Sequence, residues 1–152
     1  MKKVTPFLWF DSQAEEAMNF YVSLFKNSKV NSISRGPDGR AFNVSFELDG
    51  QEFIGLNAGP QFKFNEAVSM FVNCEDQAEV DYFWKALTED GGEESMCSWC
   101  RDKFGLWWQI VPKQLGELMG DPDPVKSKRV MDAMLKMKKI IVADLQKAYD
   151  GR

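Results

Sequence analysis

The chain repeats itself once, and that repeat limits what it can fold into. Phe71-Val72-Asn73, then Gln77-Ala78-Glu79 and a helical pattern through Phe83 and Leu87, line up at a constant offset with Phe7-Leu8-Trp9, Gln13-Ala14-Glu15 and the pattern after them. In the first copy, Val4 to Phe10 is apolar and aromatic and predicts a strand. Asp11-Ser12 offer a helix cap, and Ala14, Ala17, Met18, Tyr21, Val22 and Phe25 recur at helical spacing, which predicts a helix over 12–25. A strand near 29–35, a turn at Gly36-Pro37-Asp38-Gly39 and the alternating run Phe42 to Leu48 follow. Asp49-Gly50 then signals a hairpin into Phe53 to Asn57. The second copy continues after Gly91-Gly92 with a strand near 95–100, a turn near Asp102 and a strand over 106–111. Each copy reads β-α-β-β-β. Two copies are too few, and each is too long, for a solenoid.

The expected organisation is one α+β domain over 1–152: a first βαβββ module at 1–62, a second at 63–113 and a helical tail at 114–152. In the tail, Leu115, Leu118 and Met119 suggest a short turn. Asp121-Pro122-Asp123-Pro124 stops the chain and caps a new helix with Pro at its first position. Val130, Met131, Met134, Leu135 and Met137 then form an apolar stripe, and Ile140 to Tyr149 makes one more helix.

Composition removes several kinds of chemistry. The net charge of -4 disfavours nucleic acid and anionic membrane surfaces. No apolar run reaches the length of a membrane span, and the start turns acidic before a leader's apolar region can develop, so a cytoplasmic protein is expected. With 0 His there is no imidazole base and no His-bound metal. Three Cys make an odd number, unsuited to a disulfide framework. Cys97-Ser98-Trp99-Cys100 is a C-x-x-C that precedes a strand pattern, where a thioredoxin-like site needs a helix start. A zinc site would lack a fourth ligand, and these Cys read as small apolar side chains. Asp11, Glu15, Glu16 and the pair Glu93-Glu94 sit on caps and loops, where solvated charge is normal.

In a cupped sheet alternate residues face inward while the others meet the helix. The set that carries polar atoms and indoles is the better pocket lining. It contains Thr5, Phe7 and Trp9 on the first strand, Ser69 and Phe71 on its repeat, and Trp107 and Gln109 on the last strand. Asn57 joins by its strand-end position, and Cys97 and Trp99 join by alternation. Apolar walls with a few amides and hydroxyls are how small-molecule sites are built. The bland alternative is that these aromatics fill a core, with Gln109 bonded by Thr5 or Ser69.

Several segments together resemble the PhnB-like family, often labelled demethylubiquinone 3-methyltransferase-like. It belongs to the vicinal oxygen chelate superfamily of glyoxalases, extradiol dioxygenases and bleomycin- or fosfomycin-resistance proteins. The segments are Thr5 to Asp11, Glu15 to Tyr21, Phe46 to Gln51, Leu56 to Phe62, Trp107 to Pro112 and Asp121 to Pro124. The resemblance implies a glyoxalase-like fold in which two cupped mixed sheets enclose a cavity, and a homodimer. Metal-using members place His or Glu on the first and last strands of each module. Those positions fall here on Thr5 or Pro6, Val68 or Ser69, Gln109, and near Gly55 to Asn57, a poor donor set for a divalent ion. No metal and no cofactor are expected. No Gly-rich loop opens a helix after a buried strand, so the methyltransferase label lacks its motif.

The sequence therefore points to a small-molecule binding protein that pairs with itself. The alternative is a metal-independent lyase, isomerase or transferase. It would use Gln109 and Asn57 as amide donors to an oxyanion, with Cys97 as the reactive group. A third possibility makes the Met-rich tail the functional face of an interaction protein.

Overall fold

The computed structural model describes residues 2–152. Contacts divide the chain into two compact units, one running through Phe64 and one from Asn65 to Arg152.

The first unit contains β1 (Phe7–Phe10), α1 (Ala14–Leu24), β2 (Lys29–Arg35), β3 (Ala41–Leu48) and β4 (Gln51–Asn57). Its four-stranded sheet has the order β1-β4-β3-β2. β1 lies parallel to β4, with Phe7 beside Ile54 and Trp9 beside Leu56, and the other pairs are antiparallel. Asp49 and Gly50 both take left-handed backbone angles, φ 47° and 79°, which is what the two-residue hairpin between β3 and β4 requires. Alternation decides the two faces. Leu8, Phe10, Val44, Phe46 and Phe53 are buried against Ala14, Ala17, Met18 and Tyr21 of α1, while Phe7 remains exposed. The helix comes close because Gly55 has no side chain: a Cβ there would meet Val44 at 3.0 Å and Ala14 at 3.5 Å.

The second unit repeats this plan with β5 (Met70–Cys74), α2 (Gln77–Thr88), β6 (Glu93–Glu94), β7 (Trp99–Arg101) and β8 (Trp107–Pro112), in the order β5-β8-β7-β6. Asp76 caps α2 by accepting from the Glu79 amide at 2.9 Å. Val80, Phe83, Trp84 and Leu87 of α2 are buried, as are Leu106, Trp108 and Ile110. The α+β plan expected from the sequence, two β-α-β-β-β modules with mixed four-stranded sheets, is the fold the chain adopts.

Two local expectations change. The predicted strand at 95–100 is split: β7 starts only at Trp99, and Cys97 and Ser98 form a turn with φ 57° and 62°. The first helix is not capped by Asp11 or Ser12. Its cap position is Gln13, which makes no side-chain cap bond, and the Ala14 amide donates instead to Asn57 Oδ1 at 2.8 Å.

The tail belongs to the second unit. It forms α3 (Lys113–Met119), α4 (Pro124–Met134) and α5 (Val142–Asp150). Asp123 caps α4 by accepting from the Val125 amide at 2.9 Å, with Pro124 at the first helical position. Val130, Ile140 and Leu145 make a small core, wrapped by Leu115, Leu118, Met119, Met134, Met137 and Tyr149. Most of the apolar stripe read from the sequence is therefore covered by the chain's own tail; Leu135 remains 53% exposed.

Candidate functional site

The face of the second sheet turned away from α2 is the chemically mixed one. Register places Trp99 beside Gln109 and Arg101 beside Trp107, with Phe71 on the other side of Gln109. Strand alternation puts their side chains opposite the buried Leu106, Trp108 and Ile110. Gln109 Nε2 donates to Ser69 Oγ at 2.9 Å, one of the two partners weighed from the sequence. Phe71, Asn73, Cys97, Trp99, Gln109 and Val111 line one cavity of about 550 Å³. Its other wall comes from Pro112, Lys113, Leu115, Gly116, Met119, Met134 and Leu135. Trp107 is half-buried and lies outside that lining.

The tail wall is absent from the pocket residues read from the sequence, which all lie in the two modules. The signal available was position: α3 follows β8 directly, so its first turns must pass the open edge of that sheet. Cys97 reaches the cavity from its left-handed turn rather than by strand alternation. Its amide donates to Met137 O at 2.7 Å, the Ser98 amide donates to Lys138 O at 2.6 Å, and Ser98 Oγ accepts from the Ile140 amide at 2.9 Å. The other two thiols are buried. Desolvation, with Glu79 and Asp76 adding to it, pushes Cys74 up to about 12. Desolvation, with Asp102 and Glu94, does the same to Cys100.

The first unit holds Thr5, Phe7, Trp9 and Asn57. Phe7 is 58% exposed on the open face. Trp9 Nε1 donates to Gly59 O at 2.9 Å, and Phe62 meets its ring edge-on at 4.9 Å. Thr5 Oγ1 is buried without a hydrogen-bond partner among the described residues. Asn57 has a different job from the one foreseen. Its Oδ1 caps α1 and its Nδ2 donates to Ala41 O at 3.0 Å, so both ends of the amide hold the fold together. One of the two Nδ2 hydrogens is thus given to Ala41 O, and the amide is fixed at the start of α1 rather than in the cavity of the second unit. Glu47 is ion-paired to Lys29 at 3.3 Å.

The residues at the superfamily's metal positions do not fit a divalent ion. They are uncharged hydroxyls and amides, weak donors to a divalent ion, and Asn57 Oδ1 already accepts from the Ala14 amide. Among the described residues no group of three His, Cys, Asp or Glu comes together. The glycine pairs close turns. The Gly36 amide donates to Arg40 O and the Gly39 amide to Gly36 O in the β2–β3 hairpin, and Gly91-Gly92 lie between α2 and β6.

A family model described as 3-demethylubiquinone-9 3-methyltransferase matches residues 2–111. The chain belongs to that family. Among solved structures, the PhnB protein of Bacillus cereus is 36% identical, covering 73% of this chain and 99% of its own, with a TM-score of 0.68. A Pseudomonas aeruginosa protein is 15% identical, covering 74% of this chain and 98% of its own, with a TM-score of 0.61. An Arabidopsis thaliana gene product is 17% identical, covering 71% and 96%, with a TM-score of 0.50. These last two show a shared fold. No curated protein matches significantly. The family match ends at Val111, so the PhnB-like part of this chain is the two modules, and the likeness expected at Asp121 to Pro124 lies beyond it.

Proposed function

We propose that this PhnB-family protein binds a small, partly aromatic molecule on the open faces of its sheets, without a catalytic metal, and that it works as a cytoplasmic homodimer. The cavity of about 550 Å³ carries the reading, because Phe71, Cys97, Trp99 and Gln109 meet there together with Asn73. Its size lies within the range of small-molecule sites, and its lining follows their pattern of apolar walls with sparse amides. The enzyme alternative loses support, since Asn57 caps α1 and is not among the residues that line the cavity with Gln109 and Cys97. Methyl transfer, the activity in the family's description, is left out of this reading because the glycines that would cradle a nucleotide-like cofactor close turns instead. Among the described residues no helix is long and apolar enough to cross a membrane.

The dimer reading is supported by the first unit, where Val4, Phe7, Phe42 and Phe62 are 82%, 58%, 56% and 66% exposed, apolar surface that self-pairing would cover. Ligand-observed NMR against a metabolite and antibiotic library tests the binding half; no ligand below millimolar affinity would remove it. Sedimentation equilibrium at micromolar concentration tests the pairing half, where a mass near 17.4 kDa would end the dimer.

A further inference from the structure

We infer that the C-terminal tail builds a ligand site on the second sheet for a neutral, mainly apolar molecule that carries one carbonyl or hydroxyl group. The inference rests on the small-molecule reading above and narrows it to one place and one ligand chemistry.

The tail is held as a beam over the sheet. At its near end Lys113 is ion-paired to Glu75, and Gln114 Nε2 donates to Glu75 O at 3.1 Å. At its far end Met137 O, Lys138 O and the Ile140 amide bond to Cys97 and Ser98. Gln77 holds the segment after them, donating to Ile140 O at 3.0 Å and accepting from the Val142 amide at 2.7 Å. Between these anchors, Leu115, Met119, Met134 and Leu135 face Phe71 and Trp99 across the cavity. A tail that served only to cover the sheet would have closed this space, because protein interiors pack to near-crystal density.

Gly116 shows how the space is kept. It sits inside α3, where glycine is a poor helix former. Its φ is not positive, and a Cβ built on it would meet nothing within 4 Å. Neither backbone conformation nor crowding requires glycine here. The room that a larger residue would take belongs to the cavity.

The lining defines the ligand. Among the described residues, Lys113 is the one ionisable amine on the wall, Glu75 neutralises it, and no carboxylate lines the cavity. A charged ligand would thus be desolvated without a partner, so a neutral one is favoured. Asn73 has no side-chain hydrogen bond among the described residues, and Gln109 keeps its amide oxygen after giving Nε2 to Ser69. Those groups suit a single carbonyl or hydroxyl. Met119 and Met134 are flexible and polarisable, and they adapt to an irregular or flat apolar body.

The neutral naphthylamine dye 6-propionyl-2-(dimethylamino)naphthalene, an apolar body with one carbonyl, serves as the probe, titrated by fluorescence into the full chain. The wild type should bind it in the micromolar range. Gly116→Phe should weaken it by about tenfold or more with an unchanged or higher melting temperature, since the added ring fills the cavity in a helix relieved of its glycine. Leu135→Lys, at a half-exposed rim position that tolerates charge, should also weaken the neutral dye. Val30→Ser, at an exposed position on β2 of the other unit, should leave binding unchanged. If the dye binds equally well to Gly116→Phe and Leu135→Lys, it sits elsewhere: the tail site falls and the broader binding reading stands. If the wild type ignores the dye but binds charged members of the library, the ligand class is wrong. If it binds nothing in either experiment, both readings fall together.

Discussion

Asp102 is 1% exposed, and its carboxylate is committed to the fold. It accepts from the Phe104 amide at 2.8 Å, the Leu106 amide at 3.0 Å and Trp108 Nε1 at 2.8 Å, so it ties the β7–β8 turn to the indole beneath β8. Asp102→Ala strands these donors, and a loss of about 3 kcal/mol is expected, read as a lower urea midpoint at constant slope. The cysteines give a second residue-scale expectation. Cys74 and Cys100 are buried and pushed up to about 12, so they stay protonated thiols, while half-buried Cys97 stands on the cavity wall. Iodoacetamide at about pH 8 should therefore add one label to the native protein, on Cys97, and three after denaturation. The same shifts set a direction for stability. The ordinary thiol value is 9.0, and the folded values are higher, so unfolding releases protons above it. The stabilisation is complete below about 9 and is lost as pH rises toward about 12. A urea midpoint that held steady over that window would contradict it.

At the scale of elements, what could be read from the sequence depended on periodicity. The strands β1, β3, β4 and β8 alternate, α1, α2 and α4 repeat at helical spacing, and Asp49-Gly50 and Asp123-Pro124 mark a hairpin and a helix start by local chemistry alone. The features that could not be read are those made by partners distant in sequence. Residues 97 and 98 adopt left-handed angles without Gly or Asn, because Met137, Lys138 and Ile140 of the tail hold their polar groups. Asn57 looks like a free strand-end amide until α1 arrives over it. Half of the cavity wall is likewise contributed by helices whose methionines read as ordinary packing. Gln77 belongs to the same class, an exposed-looking residue in the first turn of α2 that clamps both sides of Ile141. Gln77→Ala should cost roughly 1–3 kcal/mol, as two backbone groups lose their partner. Amide exchange at Val142 should rise sharply while exchange within β8 changes little; equal exchange at Val142 in both proteins would show that the clamp carries no load.

For the whole molecule, the question is what the tail adds to two modules that already form a recognised family fold. The family match ends at Val111, so α3, α4 and α5 lie outside the part of the chain that the family shares. They do supply the core of Val130, Ile140 and Leu145 and the bonds to Ser98, whose side chain is fully buried. A chain ending at Met119 should consequently fold with both sheets intact, but with a weakened second unit. Removing the tail bares Leu115, Leu118 and Met119 and leaves the left-handed turn at 97–98 without the carbonyls that hold it. Non-glycine residues in that conformation cost about 1–2 kcal/mol each, so the turn should relax once its partners go. Hydrogen–deuterium exchange should rise around 95–100 and along β7, and the naphthylamine probe should lose its site. The first unit, through Phe64, should keep its exchange pattern, because the tail's anchors at Gln77, Asp81, Cys97 and Ser98 all belong to the second. A truncated chain that retained both the probe and the protection at 95–100 would mean that the second sheet holds its turn and its ligand unaided, and that the tail acts somewhere other than on the site it overhangs.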